Sequence, residues 1–98
     1  MSAHVIIWSP TANVTYLEIL DYLKENWTSK ELQAFIDRTE EVINYIDQNP
    51  SHYPYSKQSD SFKCIVVAQV SLFYRVRHQR IELLSFWDNR RDPAKLSL

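Results

Sequence analysis

The chain reads as an α+β domain, a helical hairpin packed on one face of an antiparallel sheet, in the order β-α-α-β-β-β. Three observations predict it. Thr28-Ser29-Lys30-Glu31 is a T-x-x-E capping box that opens an amphipathic segment. From Phe62 onward the apolar spacing switches from helical to alternating. The alternating stretches are joined by links so short that successive strands must run antiparallel.

In chain order, Val5–Trp8 is a short apolar run that fits a buried strand. Ser9-Pro10 supplies a helix start, because serine caps the first amides and proline lacks only an N–H that would be unpaired there. The helix expected from Pro10 to about Asn26 aligns Tyr16, Leu20, Leu23 and Trp27 along one stripe. The second helix carries Leu32, Phe35, Ile36, Thr39, Val42, Ile43 and Ile46 on one face. It stops before Asn49-Pro50, since the residue before a proline resists the α region. Residues 51–61, with His52, Tyr53, Pro54 and Tyr55, read as an ordered loop crossing to the sheet. Strands are expected at Phe62–Ala68, Val70–Arg77 and Arg80–Trp87, with turns near Gln69 and His78-Gln79. The chain has no glycine, so neither turn carries the usual Asn-Gly signal. The first strand is expected beside one of the later ones. The far face of the sheet is open or covered by a partner.

Ninety-eight residues make one domain, spanning 1–98, with 45% hydrophobic and 23% charged residues. Cys64 is the single cysteine, which excludes an internal disulfide and reads as a small buried hydrophobe. The apolar run at residues 5–8 is far too short to span a membrane, and a cytoplasmic, membrane-free protein is expected. The net charge of −1 conceals an asymmetry. Residues 1–55 hold three basic against eight acidic side chains, and residues 56–98 hold eight basic against four acidic. A split of this kind suits a face that receives something anionic, and equally the habit of solvated helices to favour glutamate and edge strands to favour cations. Without glycine, a P-loop or a dinucleotide-binding loop is excluded. His4, His52 and His78 lie far apart with no ligand spacing around them, so no metal or cofactor is expected.

What remains is a cationic constellation near the C-terminal end. Leu72, Tyr74 and Val76 alternate with Phe73, Arg75 and Arg77, so Tyr74 points to the helices and the two arginines away. Asp88-Asn89-Arg90-Arg91-Asp92-Pro93 follows the last strand. The four arginines, with Lys63, Trp87 and Asp88, are expected to converge on a small area. Such a group either stabilises charge on a phosphate beside a separate proton carrier, or anchors a partner through Arg and Trp. Solvated strand arginines and a flexible basic tail would leave the same pattern.

The element order, V-I-I-W-S-P-x-A at residues 5–12 and Y-R-V-x(4)-I-E-L-L-x-F-W-D-N-R-R-D-P at residues 74–93 together resemble the RelE/ParE superfamily of bacterial toxins. The resemblance implies a small cytoplasmic toxin neutralised by a cognate antitoxin. RelE-like members are ribosome-dependent endoribonucleases that cut mRNA, whereas ParE-like members poison DNA gyrase. Many RelE-like nucleases place a histidine or tyrosine near the end of the last strand, and here Asp88 stands in that place. An aspartate, with an ordinary pKa of about 4, is a poor general acid at neutral pH. The resemblance therefore favours a ParE-like toxin in which Arg75, Arg77, Trp87, Arg90 and Arg91 contact partner or target without covalent chemistry. In the nuclease alternative, Lys63 and Arg75 hold phosphate while Asp88 or Tyr74 moves the proton. A third form binds its antitoxin and harms nothing.

Overall fold

The computed structural model describes residues 3–91 and 95–96. Its elements are β1 (Val5–Trp8), α1 (Pro10–Asn26), α2 (Ser29–Gln48), β2 (Tyr55–Ser56), β3 (Ser61–Val67), β4 (Val70–Arg77) and β5 (Arg80–Asp88). The helix starts form as their residues dictate. The Ser9 side chain accepts from the Ala12 N–H, and Thr28 and Glu31 satisfy each other's backbone amides in a complete capping box. Among the described residues, two non-glycine positions take positive φ: His78, at 55°, in the two-residue β4–β5 turn, and Asp60, at 50°.

The sheet order is β1-β5-β4-β3-β2. β2 through β5 pair antiparallel in sequence order, and β1 joins β5 in parallel, so the sheet is mixed. Just beyond β1, the start of α1 is tied to β5 as well. The Ser9 N–H donates to the Leu83 carbonyl at 3.1 Å and the Ser9 hydroxyl to the Leu84 carbonyl at 3.1 Å. The Thr15 hydroxyl accepts the Phe86 N–H at 2.9 Å. These bonds serve a β-bulge, since Phe73 pairs with Ser85 and Tyr74 with Leu83, leaving Leu84 as the extra residue. The bulge resets the alternation. Ile81, Leu83 and Phe86 all lie buried on the helix side, where simple alternation after Leu83 would have put Ser85, which instead pairs with Phe73 on the other face. The segment read as a loop holds the two-residue strand β2, too short to show a period.

The core lies between the helices and the sheet. Phe35, Val42 and Ile46 meet Cys64, Leu72, Tyr74, Ile81, Leu83 and Phe86, all at most 1% exposed. An aromatic group formed by Trp8, Tyr16, Phe35 and Phe86, with successive ring centroids 4.9 to 5.9 Å apart, joins β1, α1, α2 and β5. Cys64 is fully buried and burial pushes its thiol up, which suits a packing residue and not a nucleophile.

Candidate functional site

The register divides the cationic constellation in two. Val70 at the start of β4 lies opposite Asp88, while Arg77 at its end lies opposite Arg80. Arg75 is five residues along β4 from Val70, which at strand rise is about 16 Å. The arginines expected to converge therefore sit at opposite ends of the sheet, because antiparallel pairing puts the end of one strand beside the start of the next. The motif's last two residues, Asp92 and Pro93, lie outside the described residues.

At one end, Arg75 and Arg77 project from the face away from the helices and are both engaged. Arg75 Nε donates to the Asp60 carbonyl at 2.8 Å and a terminal nitrogen to the Ser59 carbonyl at 3.0 Å. Arg77 pairs with the Asp60 carboxylate, which also accepts the Tyr55 hydroxyl. The hydrogen bond from Tyr55 and that from Arg77 hold the Asp60 carboxyl below the ordinary aspartate value. The sequence names Tyr55 only as a loop residue and does not single out Asp60, since both fall in a stretch with no periodicity. Lys63 points from β3 on this same face, opposite Phe73 and exposed.

At the other end, the Asp88 carboxylate accepts from the Arg90 backbone N–H at 2.9 Å, from Arg90 Nε at 3.0 Å and from a terminal nitrogen at 2.7 Å. The Arg90 bond, the largest influence, keeps Asp88 ionised and below the ordinary carboxylate range, and raises the guanidinium in return. The Arg90 guanidinium carbon lies 5.2 Å from the centroid of the Tyr22 ring on α1. The Arg91 guanidinium carbon lies 4.7 Å over the Trp87 ring, and Trp87 is left only 8% exposed. Between α1 and this end of the sheet runs a groove of about 190 Å3, lined by Ile19, Tyr22, Leu23, Trp27, Val70 and Phe86 with Asp88, Arg90 and Arg91 at its polar side. Leu23 and Trp27 lie on the helical stripe read from the sequence, Tyr22 was not part of that stripe, and the groove arises only when β5 is laid beside α1.

Tyr74 faces the helices as its alternation predicts. It is fully buried, its hydroxyl donates to the Pro50 carbonyl at 2.7 Å, and burial pushes its pKa well above the ordinary tyrosine value. Among the described residues, no three or more His, Cys, Asp or Glu side chains are placed to hold a metal ion, and no helix is long and apolar enough to cross a membrane.

The α1–α2 hairpin on a five-stranded sheet agrees with the fold that the resemblance implies, and comparison with known families bears out the fold. The model of the ParE toxin of type II toxin–antitoxin systems matches residues 6–93, so the chain belongs to that family. Among solved structures, the chain is similar to the chromosomal ParDE toxin–antitoxin system from P. aeruginosa. The two share 15% identity over 88% of this chain and 96% of that one, with a TM-score of 0.73. It is also similar to the YoeB dimer from Staphylococcus aureus, at 20% identity over 86% and 94% of the chains and a TM-score of 0.58. A YoeB/ParE toxin from Agrobacterium tumefaciens matches at 12% identity over 86% and 97%, also with a TM-score of 0.58. No curated protein matches the chain significantly.

Proposed function

We propose that this chain is the toxin component of a type II toxin–antitoxin pair, neutralised by a cognate antitoxin and acting by binding a target such as DNA gyrase. The observation that carries this reading is the state of Asp88. The position at which a nuclease would need a proton donor holds a carboxylate kept ionised by three hydrogen bonds from Arg90. Two further observations support it. Tyr74, the other proton-carrying candidate, is buried against Pro50, and Arg75, the candidate phosphate holder, is bonded to two carbonyls of its own chain. Arg90, Arg91 and Trp87, with the groove beside them, are the contact residues of this reading. Arg75 and Arg77 add contacts at the far end of the sheet.

Pulse labelling after induced expression in a bacterial host, with thymidine and methionine incorporation followed separately, tests the proposal. DNA synthesis is expected to fail first, and toxicity to drop in steps through Arg90→Ala, Arg91→Ala and Trp87→Ala. Collapse of protein synthesis ahead of DNA synthesis would overturn it in favour of ribosome-dependent mRNA cleavage. Growth unaffected by expression would leave an antitoxin-binding module without toxicity.

A further inference from the structure

Two arginines on an exposed sheet face ordinarily reach into solvent, yet here both fold back onto one aspartate. Asp60 sits at φ 50°, in the left-handed region that aspartate enters more readily than most side chains, in a chain without glycine. Its carboxylate takes the Tyr55 hydroxyl on one oxygen and Arg77 on the other, with Arg75 Nε 3.6 Å from the latter. We propose that Asp60 is an internal stand-in, filling a carboxylate-binding site made by Tyr55, Arg75 and Arg77 whose exchanging ligand is an acidic side chain of a partner protein.

The geometry supports exchange. The Asp60 side chain is 43% exposed, that of Arg77 42%, and Tyr55 is 51% exposed, so an incoming carboxylate reaches the Arg77 guanidinium and the Tyr55 hydroxyl from solvent. On this face Arg75, Arg77, Arg80 and exposed Lys63 outnumber Asp60 and Glu82, and Glu82, opposite Arg75 across the strands, lies 3.8 Å from Arg80. The turn itself does not depend on the Asp60 carboxylate, because Arg75 grips the carbonyls of Ser59 and Asp60. Asp60 can therefore rotate away while the turn stays in place. The donors converge on the two oxygens of one planar group, which fits a carboxylate better than a run of backbone phosphates. That the partner is the antitoxin rests on the function proposed above. The site itself stands without it.

Because Asp60 competes with any external carboxylate, its removal raises the fraction of open sites and tightens binding in proportion. Asp60→Asn deletes the charge and keeps a side chain that tolerates positive φ. Asp60→Gly deletes the side chain and suits the same backbone, which keeps the test available should the first variant fold poorly. The experiment is an NMR titration of the folded protein with a hexaglutamate peptide, following the Arg77 Nε–H and the Tyr55 ring. Both variants are expected to bind about tenfold more tightly than the natural chain, as for a site otherwise open about a tenth of the time. Adding Arg77→Ala is expected to abolish the gain. Asp37→Asn, the same change in net charge on α2, is expected to give none. Unchanged affinity in the folded Asp60 variants, or an equal gain in Asp37→Asn, would overturn the proposal. A gain for a thymidine hexanucleotide in place of the peptide would overturn the class of ligand. The titration uses neither toxicity nor a target, so its failure is distinct from failure of the toxin reading.

Discussion

Tyr74 shows how far one residue can be read before its neighbours are known. Its place between Phe73 and Arg75 on an alternating strand assigns it to the helix face, and it is fully buried there. Its hydroxyl then needs a partner, which the Pro50 carbonyl supplies across the joint between α2 and the sheet. Tyr74→Phe leaves that carbonyl without its donor and is expected to cost about 1 kcal/mol in urea unfolding, with no change in toxicity. A large loss of toxicity at unchanged stability would restore Tyr74 as a functional group. Arg75 is the opposite case. Its side of the sheet was legible from the same alternation, but its partners were not, because Ser59 and Asp60 lie in a turn whose path is set by chirality and hydrogen bonding. Alternation reports the direction of a side chain and is silent on what it meets.

At the scale of elements, local chemistry decided most boundaries. α1 begins at Pro10 and ends at Asn26 as expected, and α2 opens on the Thr28 box and ends one residue before Asn49. Thr28→Ala removes the acceptor for the Glu31 amide and is expected to cost about 1 kcal/mol, measured by thermal unfolding followed through helical circular dichroism. The β4–β5 turn carries its strain at His78, held at φ 55°. His78→Gly relieves a left-handed cost of about 1–2 kcal/mol and adds about 0.5–1 of chain entropy, so a small net stabilisation is expected. Loss of stability in that variant would mean the His78 side chain makes a contact the turn depends on. The pairings that escaped the sequence were those that no local rule governs. β1 pairs in parallel with β5, and Ser9 and Thr15, which follow β1 in the chain, bond the Leu84 carbonyl and the Phe86 N–H beside the bulge, a pattern between residues about 70 positions apart. β2 has two residues, and a period cannot be read from two residues.

At the scale of the whole molecule, charge is organised by pairing within the fold more than by the acidic and basic halves of the sequence. The basic half does not make one cationic face, since its arginines separate to the two ends of the sheet and meet Asp60 and Asp88 there. The acidic half contributes Asp47 at the end of α2. Burial works to raise the Asp47 pKa, but the Ala3 N–H at 3.1 Å, the His4 N–H at 2.7 Å and the His4 ring at 3.1 Å outweigh it and lower the value. Asp47, Asp60 and Asp88 therefore all titrate lower in the folded chain than in the unfolded one. A carboxyl with a lowered folded pKa stabilises the fold above its unfolded value, about 4, and that contribution drains away as pH falls toward the folded value. The melting temperature is expected to be level from about pH 8 to pH 5 as far as these groups decide it, and to drop steeply below about pH 4. Asp47→Asn ties the start of β1 to α2 less firmly, so it lowers the plateau and makes the acid limb shallower. Asp88→Asn acts likewise at the opposite end of the sheet. Melting curves of the variants that run parallel to the natural chain down to pH 3 would show that these pairs do not hold the ends of the sheet, and that the core carries the fold without them.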